Sequence, residues 1–179
     1  MRIVKRIVIG LLLFAAIALI AAAIMPKELA VERSIVINRP ADSVFAYVKY
    51  LKNQNDYSKW AQMDPAMRKE FHGTDAQPGF VSAWEGNEEV GKGEQTIKSI
   101  DEAARRVDYK IHFIKPFESN ADAFMITTDK GASSEVRWGF KSSMPWPMNL
   151  MSPFLKGGLE DDLQTGLSNL KARLEVNTR

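Results

Sequence analysis

Three rhythms of apolar residues divide this 179-residue chain. From Ile7 to Ile24 there are 18 residues without a charge, enough for a helix of roughly 27 Å, close to the hydrocarbon thickness of a bilayer. The period then shortens to two. Val31, Ile35 and Ile37 alternate with Glu32, Ser34 and Val36 between Leu29 and Asn38, which predicts a strand. Arg33 breaks its apolar face, so this strand lies near an edge or pairs its charge. Pro40-Ala41-Asp42-Ser43 opens a short helix carrying Val44, Phe45, Val48 and Leu51, and the polar stretch 52–60 predicts one or two further helical turns. Turn signals at Gly73, Pro78-Gly79, Gly86-Asn87, Gly91-Lys92-Gly93, Lys115-Pro116 and Asp129-Lys130-Gly131 then separate runs of strand length. These runs lie near 66–72, 80–85, 93–101, 105–114, 120–128 and 133–142. In the clearest of them Val107, Tyr109, Ile111 and Phe113 alternate with Arg106, Asp108, Lys110 and His112. From Ser152 the period becomes helical: Leu155, Leu159, Leu163, Leu167, Leu170 and Leu174 form one stripe, with Ser152 as the expected N-cap and Pro153 at the first helical position.

The order of elements predicts an α+β fold. A curved seven-stranded antiparallel sheet, one face apolar and one wet, wraps around the long carboxy-terminal helix. One transmembrane helix precedes it. Residues 1–26 form the expected anchor and 27–179 a single folded domain. A curved sheet and a straight helix cannot close every gap between them, so an apolar cavity is expected at their junction.

Charge adds one distinction. Residues 1–26 hold Arg2, Lys5 and Arg6 and no acid, while the rest carries 21 basic against 22 acidic residues. The basic tip implies a cytoplasmic amino terminus and an extracytoplasmic domain. A nearly neutral domain is a poor nucleic-acid surface. Ala21-Ala22-Ala23 also satisfies a signal-peptidase pattern, but 18 apolar residues exceed the usual signal core, which favours a retained anchor. With no cysteine there is no disulfide and no thiol chemistry. No phosphate-binding loop, dinucleotide fingerprint, zinc spacing or nucleophile elbow is present, so no cofactor, metal or catalytic residue is assigned.

The run from Val31 through Asn38-Arg39-Pro40-Ala41-Asp42-Ser43 to Phe45 resembles the opening of the START-like, or SRPBCC, superfamily. Trp60, Gly91-Lys92-Gly93-Glu94, Phe113-Ile114-Lys115-Pro116-Phe117, Val136-Arg137-Trp138 and Gly166-Leu167-Ser168-Asn169-Leu170-Lys171 follow in matching order over about residues 29–175. The nearest branch resembles the polyketide cyclase/dehydrase-type proteins with an amino-terminal membrane segment. The resemblance implies a helix-grip fold with a deep apolar cavity for lipids, sterols, polyketides or similar molecules, and it carries over no catalytic residue. Arg39, where the family has a small residue, and Gly157-Gly158 in the last helix depart from the pattern.

Strand parity puts Trp84, Tyr109, Phe113, Trp138 and Phe140 on the apolar face, with Trp60 and Phe71 joining them. Large aromatics also fill ordinary cores, but as a set under one helix they are candidate ligand contacts, together with Met151, Leu155 and Leu159. Met144, Met148 and Met151 suggest an adaptable gate and Gly157-Gly158 a hinge; the alternatives are a packed loop and a helix that begins only at Leu159. His72, His112, Glu85 and Glu94 fall on the wet face. The expected function is membrane-tethered binding, transport or sequestration of a hydrophobic small molecule or lipid. The alternatives are a cyclase or dehydratase acting on a polyketide-like or lipid-like substrate, which needs a titratable group in the cavity, and an interaction domain for another envelope protein.

Overall fold

In a computed structural model of the chain, which describes residues 2–176, the elements follow the expected order. Met1 and the expected domain limit at residue 179 lie outside the described residues. Helix α1 (Arg2–Ile24) leads to strand β1 (Glu28–Ile37), helix α2 (Ala41–Val48), a 3-10 turn (Leu51–Asp56) and the short helix α3 (Lys59–Met63). Strands β2 (Arg68–His72), β3 (Val81–Glu85), β4 (Lys92–Asp101), β5 (Arg106–Lys115), β6 (Ser119–Asp129) and β7 (Ser134–Ser143) come next. A second 3-10 turn (Met148–Met151) then feeds helix α4 (Ser152–Glu175).

The seven strands form one antiparallel sheet in the order β1-β7-β6-β5-β4-β3-β2. Six of them are a plain meander, and β1 returns to pair with the last. In β4 the partners step from Ile97↔Tyr109 to Ser99↔Asp108, so Lys98 is an extra residue, a bulge that bends the sheet inward. Just before this strand Gly91 takes φ +67, and any side chain there would collide with the Lys115 carbonyl, so the tight turn admits only glycine.

Helix α4 crosses the concave face. Its carboxyl end is tied to the loop after β1: the Arg39 guanidinium donates to the Leu174 carbonyl at 2.9 Å, and the Asn38 N–H to the Glu175 carboxylate at 2.6 Å. That backbone bond holds the Glu175 carboxyl below its ordinary range. Arg33, the charge on the apolar face of β1, does both things expected of it. It sits on an edge strand and pairs with Glu160 of α4 at 2.6 Å. At this end of the sheet the core is solid: Ile37, Val44, Val48, Tyr109, Met125, Val136, Leu167 and Leu170 are fully buried.

The beginning of α4 departs from expectation. The preceding 3-10 turn runs straight into it, so Ser152 is already helical (φ −51, ψ −45) and Met151 occupies the N-cap position. The Ser152 hydroxyl turns to the Met144 sulfur at 3.1 Å instead of capping. The helix is continuous through Gly157 and Gly158, not begun at Leu159. Its first two turns overhang the sheet, which leaves Leu155 exposed although it belongs to the leucine stripe.

Helix α1 ends where Pro26 removes an N–H, and this orphans the Ala22 carbonyl. Asn149 supplies the missing donor from 127 residues away: its Nδ2 lies 2.7 Å from Ala22 O and 3.1 Å from Met25 O. The Trp146 indole N–H donates to Leu19 O at 3.2 Å. The rest of α1 is almost wholly bare, and it is long and apolar enough to cross a membrane.

Candidate functional site

Along the concave face the filling changes. At the end where Tyr109, Met125 and Val136 stand, large side chains from sheet and helices meet. Toward the opposite end the corresponding inward positions include Ala123 and Ser82, and α3 contributes Ala61. Small side chains on one wall leave a hollow where a straight helix spans a curved sheet. The result is a cavity of about 230 Å³ between the sheet, α3 and α4. Benzene fits a cavity of ~150 Å³, so this one has room for a larger guest.

Its walls are chiefly aromatic and aliphatic. Six of the ten expected contacts meet there: Trp60, Trp84, Phe113, Trp138, Phe140 and Leu159. Trp138 is the hub, edge-on to Tyr57 (5.8 Å between centroids) and to Trp60 (6.3 Å). Helix α4 passes directly over it at Gly166, where a Cβ would come within 2.8 Å of the ring. Trp84 meets Phe113 edge-on at 6.0 Å and donates its N–H to the Val90 carbonyl at 3.3 Å. It lies flat across Gly93, whose missing Cβ would stand 2.6 Å from the indole.

The other four expected contacts stand elsewhere. Tyr109 faces inward as parity requires, but farther along β5 it is enclosed by the solid core, its hydroxyl 3.5 Å from the Val48 carbonyl of α2. Phe71 also has the right parity, yet β2 is the outermost strand. Its ring stacks on Phe80 at 6.2 Å with the Lys52 ammonium above both. Met151 lies exposed on the 3-10 turn, and Leu155 on the overhanging part of α4.

The polar part of the lining was not anticipated. Gln54, Asn55, Ser58, Lys69, Ser82 and Gln95 reach the cavity. Ser82 and Gln95 share the facing of Trp84 and Phe113 in the strand ladders, so parity alone could have found them. Gln54 and Ser58 come from the aperiodic turn before α3, where no pattern marks the inside. Gln54 is 7% exposed. The Lys69 ammonium has a single contact at 3.3 Å, the Ala61 carbonyl, and no carboxylate within ion-pair distance among the described residues.

Among the described residues Lys69 is the one ionisable side chain in the lining, and no carboxylate or imidazole joins it. His72 is exposed, His112 faces Glu118 and Glu94 on the outer side, and Glu85 pairs with Lys92 at 3.0 Å, a bond that holds its carboxyl below the ordinary range. Burial pushes the nearby Tyr57 and Tyr109 hydroxyls well up, so both remain neutral at ordinary pH. Among the described residues no group of three acidic or histidine side chains is placed to hold a metal ion. The arrangement suits enclosing an apolar body and meeting one polar or anionic group.

The comparisons agree with this geometry. The chain is similar to a crystal structure of Ara h 8.0201 with TM-score 0.61 at 14% identity, over 84% of this chain and 99% of that one. It is similar to truncated norcoclaurine synthase from Thalictrum flavum with TM-score 0.63 at 10% identity, over 85% and 96%. A solution NMR structure of a Thermobifida fusca protein gives TM-score 0.58 at 22% identity, over 81% and 92%. At these identities the likeness establishes the helix-grip fold. No curated protein matches the sequence. The family described as polyketide cyclase / dehydrase and lipid transport matches residues 28–175. The chain therefore belongs to the polyketide cyclase/dehydrase and lipid transport family, within the SRPBCC superfamily whose helix-grip fold it adopts.

Proposed function

We propose that the chain is a membrane-tethered binding protein that holds, carries or sequesters a hydrophobic small molecule or lipid in the cavity beneath α4. The observation that carries this reading is the cavity itself: about 230 Å³ with mostly apolar walls. Covering about 200 Å² of apolar ligand surface at ~25 cal/mol per Å² amounts to roughly 5 kcal/mol before ordering costs. In this reading α1 is retained in the membrane, with the amino terminus cytoplasmic and the domain outside. Residues 27–179, purified without harsh detergent, are expected to carry a bound molecule in native mass spectrometry and to take up a fluorescent fatty acid. A bare polypeptide that takes up nothing would end the reading.

Lys69 refines the ligand. A cation with one carbonyl contact in a mostly apolar lining is best matched by an amphiphile whose anionic head reaches it. Charge-assisted bonds contribute ~1.5–3 kcal/mol, and the partial exposure of this lysine favours the lower end. Lys69→Met is therefore expected to weaken a long-chain carboxylate about tenfold, while the corresponding alcohol changes by less than about twofold. Equal losses for both, measured by calorimetry, would remove the head-group assignment.

The same lysine is the observation that favours a second reading, a cyclase or dehydratase. One of the structural neighbours is by its title a norcoclaurine synthase. Such chemistry uses a positioned proton donor or acceptor, and Lys69 is the cavity's one ionisable candidate among the described residues. Turnover of a polyketide-like substrate that Lys69→Met abolishes would favour the enzyme over the carrier.

A further inference from the structure

The register of the sheet gathers one set of loops at a single end. Glu28 pairs with Ser143, Phe113 with Ser119, Lys92 with both Glu85 and Lys115, and Arg68 with Glu85. The junction of α1 with β1, the β5–β6 turn, the β3–β4 turn, the link from α3 to β2 and the segment from β7 into α4 therefore all lie together. Outside α1 there are eleven exposed large hydrophobic side chains among the described residues, and seven of them belong to this end. Phe117 and Phe154 are each 78% exposed and Trp146 49%; Met148, Met151 and Leu155 stand with them. A surface of this kind marks an interaction site.

Helix α1 identifies the occupant. Trp146 and Asn149 bond to the Leu19, Ala22 and Met25 carbonyls, so the 144–151 segment is fixed beside the last turns of the helix. Leu19 lies five residues before Ile24, about 7.5 Å back along the axis, the depth at which an interfacial tryptophan sits between headgroups and acyl chains. Two lysines on the neighbouring strands are paired within the domain, Lys141 with Glu28 at 2.7 Å and Lys92 with Glu85 at 3.0 Å, while exposed Lys27, Lys115 and Lys156 stand at the same end with the acids Glu88 and Glu89. The patch itself is aromatic and aliphatic, with charges of both signs around it. Two cavity residues from loops, Met67 and Val90, and the first covered turn of α4 at Leu159 belong to the same end.

We propose that this end of the domain rests in the leaflet from which α1 emerges, through Phe117, Trp146, Met148, Met151, Phe154 and Leu155, and that the cavity mouth opens onto that leaflet. The inference rests on α1 being a retained anchor. Ligand then passes between bilayer and cavity without crossing water. The overhanging turns of α4, which cover nothing in the domain, have a role as a wedge in the headgroup layer.

The chain contains no cysteine, so single cysteines label uniquely. In full-length protein in phosphatidylcholine nanodiscs, nitroxides at Phe117→Cys and Phe154→Cys are read for access to oxygen and to a water-soluble nickel chelate. Phe14→Cys reports α1, and Ala132→Cys, in the β6–β7 turn at the opposite end, is the aqueous reference. The expected result is oxygen favoured over nickel at Phe117 and Phe154, as at Phe14, with the reverse at Ala132, and the same pattern in phosphatidylglycerol. Nickel access at Phe117 and Phe154 with Phe14 in the membrane would overturn the docking and leave the anchor standing. An aqueous Phe14 would overturn both. Labels immobile and shielded from both reagents would mean a protein partner covers the patch, which also overturns it.

Discussion

Ala123→Phe is expected to abolish uptake of a fluorescent fatty acid while leaving the domain folded. Ala123 is 4% exposed, lies opposite Tyr109 and Phe140 in the ladder and forms part of the cavity wall. In a filled core the extra ring would cost about 1–3 kcal/mol in strain. Here it enters a space of about 230 Å³, and burying it returns a comparable ~1.5–3 kcal/mol. The two effects nearly cancel, so the melting temperature should stay within about 4 °C of the parent. The ligand, by contrast, loses much of its room, since a benzene-sized group already needs ~150 Å³. Fluorescence titration and a thermal melt on the same sample decide the matter. Uptake retained at parental affinity would show that the guest sits elsewhere.

Trp138→Ala is the substitution expected to cost most in stability. The side chain stands on the strand between β1 and β6, with its ring against Tyr57, Trp60 and the close approach of α4 at Gly166. It thus ties together the turn before α3, α3 itself, the sheet and α4. Large aromatic truncations in cores cost about 3–5 kcal/mol, which for a domain of this size lowers the melting point on the order of 10 °C. The void would open into the existing cavity, so denaturant unfolding should report the loss together with poorer discrimination among ligands of different width. A change below about 1 kcal/mol would mean that the rings form no continuous support.

The uncharged apolar run of α1, its basic tip and its proline stop were all legible in the chain, because each depends on neighbours a few residues away. The strands were too, to within about two residues, since a period of two reports directly on a sheet with one wet face. Ser152 as N-cap failed for a local reason: the preceding 3-10 turn brings the chain in already helical. Leu155 failed for a global one. Its spacing is that of the stripe, but a stripe is buried only as far as there is sheet beneath it.

The apolar pattern by itself determined which residues turn inward, and with that the sheet, the long helix over it and the apolar helix ahead of them. It could not tell wall from filling. Tyr109 and Phe113 are indistinguishable by alternation, yet α2 packs onto one while the other borders the cavity. That difference, like the place of Lys69 in the cavity lining and the capping of α1 by Asn149, arises between segments far apart in sequence. A hollow is the mismatch of two surfaces, and only the tertiary structure brings both into contact.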